Sequence, residues 1–105
     1  MLPKENRFSA RVKGDFFANA KKKYSPLLVL YHQKNNLDVC RATVIVPKKV
    51  IAKSTKRSEI KRQLRNALIP HLNEMKGYDL VLYLKSWKSS ANHSQIQKEV
   101  LTFFN

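Results

Sequence analysis

Residues 48–65 read KKVIAKSTKRSEIKRQLR, a run in which apolar side chains recur at helical spacing through a nearly unbroken field of cations. On a helix beginning near Ser54 or Thr55, the residues Ile60, Leu64, Ala67 and Leu68 fall at i, i+4, i+7 and i+8. They make one apolar face about a third of the circumference wide. Such a helix anchors itself in a core and holds out whatever lies on its flanks, here Lys61, Arg62 and Arg65. Counting Lys48, Lys49, Lys53, Lys56, Arg57, Lys61, Arg62 and Arg65 against Glu59 gives +7, half of the formal +14 of the whole chain. Most charge runs are solvated faces laced by i,i+4 ion pairs. Here the anions needed for such pairs are nearly missing, so the cations point to a polyanionic partner.

The chain has 105 residues, room for one domain, 1–105, with a single modest core. A hydrophobic share of 43%, ten aromatics among it, argues for a packed globule, because disordered chains of similar charge lack that apolar content. Nucleic acid is the partner best suited to relieve the self-repulsion of so basic a fold, ahead of an anionic membrane surface or an acidic protein. The longest apolar run, 27–31, is far short of the roughly 20 residues that cross a bilayer, and no secretory pattern follows the opening MLPKENRF. A cytoplasmic setting is expected. Cys40 stands alone inside a strand-like apolar run, where a small buried thiol is the expectation.

Periodicity orders the elements. Residues 13–23 read as a short helix with Phe16 and Ala20 on one face and Phe17 beside them, ending in Lys21, Lys22 and Lys23 at the negative end of its dipole. Residues 27–31 (LLVLY) and 39–46 (VCRATVIV) read as strands joined through Asn35 and Asn36, and are expected to form a hairpin. Alternation sets Tyr31 opposite Leu28 and Leu30, without saying which group faces the helices. Pro47 ends the second strand; Pro70 either ends the basic helix or kinks it, and Gly77 is the firmer stop. Residues 79–84 (DLVLYL) form another strand. Ser94 and Gln97 stand in capping-box spacing ahead of a helix with Ile96, Val100, Phe103 and Phe104 on one face. The sum is one α+β layer structure.

Catalytic chemistry of the chain's own is not expected. The seven acids and three histidines are dispersed, one cysteine gives no zinc spacing, and two glycines cannot build a phosphate-cradling loop. Phe16, Phe17 and Tyr31 are either core residues or the lining of a groove where unpaired bases stack, worth roughly 1–3 kcal/mol per base.

The line VIVPKKVIAKSTKRSEIKRQLRNAL, residues 44–68, closely resembles the signature of the bacterial ribonuclease P protein component. In that family a valine-rich strand precedes a Ser-Lys-Lys, a short basic linker and a helix opening Ala-x-x-Arg-Asn-Arg-Ile-Lys-Arg-x-x-Arg. The Lys-Lys pair corresponds to Lys48 and Lys49, and the helix motif to Ser54, Arg57, Ser58, Glu59, Ile60, Lys61, Arg62 and Arg65. MLPKENRF, GDFFANA, LVLY and GYDLVLYL resemble further family segments in the same order, so the likeness covers nearly the whole chain. The chain departs from the motif at Ser58, which replaces its Asn, at Glu59, which replaces its Arg, and at Ala20, which replaces a Phe of the first helix.

The resemblance implies an αβββαβα two-layer sandwich with a left-handed crossover through the basic helix, against the general right-handed preference. It implies a protein subunit of ribonuclease P that is not itself the catalyst. An RNA subunit with Mg2+ would remove the 5′ leader of precursor tRNA, and no metal site of the protein is expected. Lys53, Lys56, Arg57, Ser58, Lys61, Arg62 and Arg65 would then meet the catalytic RNA. Phe16, Phe17, Tyr31, Lys48 and Lys49 would hold the single-stranded leader in a groove between the basic helix and the sheet. Expected partners are the catalytic RNA and precursor tRNA, with no membrane and no small-molecule substrate. The alternative reading is a ribosomal or ribosome-assembly RNA-binding protein with no role in a nuclease.

Overall fold

The computed structural model describes residues 20–35, 38–88 and 91–104. Three strands, β1 (Lys21–Tyr24), β2 (Leu28–Lys34) and β3 (Arg41–Ile45), precede helix α1 (Ser54–Leu68). A 3-10 segment (Ile69–Met75), strand β4 (Tyr78–Leu84) and helix α2 (His93–Phe103) follow. The strands form one sheet in the order β1-β2-β4-β3. The β1-β2 and β2-β4 pairs are antiparallel and β3-β4 is parallel, so α1 lies in a crossover between adjacent parallel strands. The expected α+β class stands. Residues 13–19 of the expected first helix, Phe16 and Phe17 among them, lie outside the described residues.

The described end of that expected helix is a strand. A helix would crowd Lys21, Lys22 and Lys23 onto one turn, whereas β1 splays them to alternate sides along a sheet edge, where lysines also discourage unwanted pairing. The dipole argument applies to a different helix: Lys23 Nζ donates to the Phe103 carbonyl at 2.9 Å, at the C-terminal end of α2.

The expected hairpin between the second and third strands is also corrected, because β4 lies between them. Leu80, Val81, Leu82 and Leu84 are all buried, and a strand apolar on both faces belongs at the middle of a sheet. β2 instead turns directly from β1 through Ser25, whose N–H donates to the Leu28 carbonyl at 2.9 Å. The link from β2 to β3 crosses the start of β4. There Asn35 N–H donates to the Gly77 carbonyl at 2.8 Å, and Gly77 N–H to the Val39 carbonyl at 3.2 Å. Gly77 takes a φ of 86°, a left-handed turn that a side chain would oppose.

Both helices cover the inner face, where Leu28, Leu30, Ala42, Val44, Leu80, Leu82 and Leu84 meet Ile60, Leu64, Leu68, Ile96, Val100 and Phe103. Full burial of Ile60, Leu64 and Leu68 contributes roughly 1.5–3 kcal/mol each, as an upper estimate, and fixes α1 in rotation as well as position. At Pro70 the α-helix gives way to the 3-10 segment, which carries the chain to Gly77. α2 starts two residues earlier than the Ser94 spacing suggested. Its cap is Asn92, whose side-chain oxygen accepts from Gln95 N–H at 3.1 Å.

Candidate nucleic-acid interface

With Ile60, Leu64 and Leu68 turned inward, the cations of α1 have set places. At about 100° per residue, Lys61, Arg65, Ser58 and Arg62 follow one another over roughly 100° of arc beside the buried stripe. Glu59 falls about 60° beyond Arg62, outside that row, where Lys56 Nζ approaches its carboxylate at 3.9 Å. Both partners are half exposed, and such a pair contributes little. The anion that replaces the family's arginine therefore stands off the cationic flank. Lys53, Lys56, Ser58 and Arg62 are exposed, while Lys61 and Arg65 are half-buried along their stems.

Arg57 has a second duty. Its Nη1 donates to the carbonyls of Ile51 at 2.9 Å and Ala52 at 2.7 Å, clasping the basic linker to the first turn of α1. The linker itself is folded by Val50 and Ile51, whose N–H groups each donate to the Pro47 carbonyl at 3.0 Å. This leaves Lys48 and Lys49 exposed just beyond the end of β3. The start of α1 has no side-chain cap and no acid in its first turn, so its positive end adds to the field of Lys53 and Lys56.

The open question about Tyr31 resolves toward the outer face. Leu28 and Leu30 belong to the core with the helices, and Tyr31 packs with Ile45 against Ala20 and Val81 on the other side. The groove expected between the basic helix and the sheet is therefore filled with core side chains. The face that presents Tyr31 is the one α1 does not touch. Register gathers further residues there that the sequence reading had missed. Lys22 opposes Tyr31, and Tyr24 opposes Val29, which in turn opposes Tyr83. Lys22 Nζ lies 5.8 Å from the centre of the Tyr31 ring, and Lys85 Nζ 5.5 Å from that of Tyr24. Tyr24 is 66% exposed, unusual for so large a ring. Period-two reading of KKKY was the available signal, masked by assigning the lysines to a helix.

Cys40 is the small buried thiol its apolar strand-like surroundings predict. Desolvation, with Asp79 adding, pushes its thiol up to about 11. Asp79 is held bidentately by Arg41, at 2.8 and 2.7 Å, and accepts from Asn35 at 2.9 Å, a structural pair at the edge of the outer face. Among the described residues no three His, Cys, Asp or Glu side chains converge as a metal site, and none of the helices is long and apolar enough to cross a membrane.

Fold and surface together define a small basic α+β protein, with a rigid cationic helix on one side of its sheet and an aromatic, lysine-edged face on the other. The chain matches the ribonuclease P family over residues 2–105. It is 32% identical over 78 residues to the ribonuclease P protein component of Nitrosomonas europaea, covering 74% of this chain and 66% of that protein. To the component from Clostridium botulinum (strain Langeland) it is 35% identical over 77 residues, covering 71% and 68%. These alignments span about two thirds of the relatives' length. The ribonuclease P protein of Staphylococcus aureus shares the fold, with a TM-score of 0.78 over 95% of both chains at 20% identity. The chain belongs to the ribonuclease P family, as one of its protein components.

Proposed function

We propose that this chain is the protein subunit of a bacterial ribonuclease P, binding the catalytic RNA through α1 and its linker and the 5′ leader of precursor tRNA through the outer face of the sheet. The observation that carries the reading is the separation of the two surfaces by the full thickness of the core. A row of cations without an interposed carboxylate suits the phosphates of a folded RNA, with Arg62 and Arg65 able to grip them bidentately. Tyr31 and Tyr24, each with a lysine over or beside its ring, suit an unpaired strand, in which bases stack and phosphates need neutralising. Lys48 and Lys49 leave the end of β3 where such a strand would pass. The Mg2+ that the reaction requires would sit on the RNA subunit, which would carry out the hydrolysis in the cytoplasm.

Binding a leader that the product lacks raises affinity for precursor over product, which is differential binding without chemistry by the protein. The test is cleavage of a precursor tRNA at low magnesium by the RNA subunit of the source organism, with and without this chain. Stimulation with a lowered KM for precursor, and weaker binding of mature tRNA, is expected. Equal affinity for the two tRNAs in the presence of the RNA subunit would overturn the reading in favour of a general RNA-binding role in ribosome assembly.

A further inference from the structure

Where β2 ends and β4 begins, the inner face of the sheet changes character. Lys21 of β1 opposes His32 of β2, and Lys34 of β2 opposes Tyr78 of β4. Alternation sets all four on the inner side, two and four residues beyond Leu30 on β2 and two before Leu80 on β4. Those leucines are fully buried, but Lys21 and Lys34 are exposed and His32 and Tyr78 half-buried. With Gln33 they line a cavity of about 190 Å³. The rings of His32 and Tyr78 stand 6.2 Å apart at 58°, forming adjoining walls.

Among the described residues neither Lys21 nor Lys34 has an ion-pair partner. Asp79, next to Tyr78 in the chain, belongs to the other face and is held by Arg41 and Asn35. Burial, with Lys23 and Lys21 adding, keeps His32 below the ordinary imidazole range, so at neutral pH its ring offers a flat uncharged surface. A hollow with two exposed cations at its rim and two rings in its wall selects a ligand that is both planar and anionic.

The geometry points to a third RNA contact: a binding site for one unpaired nucleotide within an RNA chain, its base against His32 and Tyr78 and its flanking phosphates against Lys21 and Lys34. Polymeric RNA is the occupant because the two lysines stand apart around His32, Lys21 directly across from it on β1 and Lys34 two residues further along β2, so that phosphates on both sides of the base can be met, and because the chain as a whole carries +14. The site is distinct from the surfaces described above. It lies on the opposite face from Tyr31 and Tyr24. Ile45 pairs with Tyr83 near the far end of β4, so Lys48 and Lys49 leave the sheet about 17 Å from Tyr78 along the strand.

The test uses the full chain, isotopically labelled and titrated at low salt with a pentamer of unpaired adenylate. The His32 and Tyr78 ring resonances should move, in the unaltered protein and equally in Tyr31→Ala. The double variant Lys21→Ala, Lys34→Ala, altered only at exposed positions, should lose those shifts. Its slope of log K against log salt should be shallower by about 1.4, the single-strand coefficient for two phosphates. Unmoved His32 and Tyr78 resonances, or an unchanged slope in the double variant, would overturn the assignment. So would adenosine monophosphate binding as tightly as the pentamer with the same shifts, which would make the ligand a free nucleotide. Failure to stimulate tRNA cleavage, with these shifts intact, would remove the proposed function and leave this site standing.

Discussion

Glu99 shows how much one buried carboxylate can organise. It accepts from the Ser25 hydroxyl, from Leu27 N–H at 2.8 Å and from Gln95 Nε2 at 2.9 Å, tying the β1-β2 turn to α2. Glu99→Ala strands the Leu27 N–H in the core and should lower stability by about 2–3 kcal/mol in urea unfolding. In the sequence Glu99 is one of seven scattered acids; the clue was its place three residues after Ile96, on the apolar side of its helix. Its partners in the β1-β2 turn, Ser25 and Leu27, lie more than 70 residues away in the chain, and no local pattern encodes them. Cys40 supports a pH prediction. The folded thiol keeps its proton up to about 11 and the unfolded one ionises near 9.0, so above pH 9 the folded state binds more protons. Stability should fall as pH rises through that interval, by about 2–3 kcal/mol at its end, and Cys40→Ala should lack this component in melts compared at pH 8 and pH 11.

At the scale of elements, α1 was legible almost to the residue because its stripe, its linker and its cations all obey one period. β1 was not, since four residues carry too little pattern to separate a strand from a helix tail and its reason for being extended is its pairing with β2. The start of α2 was misplaced because two residues could cap it, and Asn92→Ala should cost about 1 kcal/mol in thermal or urea unfolding where Ser94→Ala costs nearly nothing. The two proposed RNA surfaces belong to different elements, and their variants should separate accordingly. Arg62→Ala on α1 should weaken assembly with the RNA subunit several-fold, roughly the loss of one charged phosphate contact, while leaving the preference for precursor intact. Tyr31→Ala and Tyr24→Ala on the sheet should each weaken precursor binding by about 1–3 kcal/mol with assembly unchanged. Filter binding with RNA subunit alone and with assembled enzyme reads the two effects apart; swapped phenotypes would invert the assignment.

For the whole molecule, net charge and a modest apolar core were enough to indicate a packed domain suited to nucleic acid, whereas the strand order could not be read. Inserting the last strand between the second and third depends on β4 being apolar on both faces, a comparison among strands that no single segment reveals. If about six phosphates are neutralised on assembly, log K should fall with log salt at a slope of about −4 to −5, measured by titration between 50 and 200 mM salt. That same insertion governs how the protein comes into being. Until residue 84 has been made, β2 and β3 have no partner between them and the inner leucines have nothing complete to close upon. A nascent polypeptide halted before Tyr78 would leave the ribosome as a hairpin and a highly charged helix with no common interior. The commitment to native structure is thus deferred until β4 has been made, after the whole of the basic helix has already emerged.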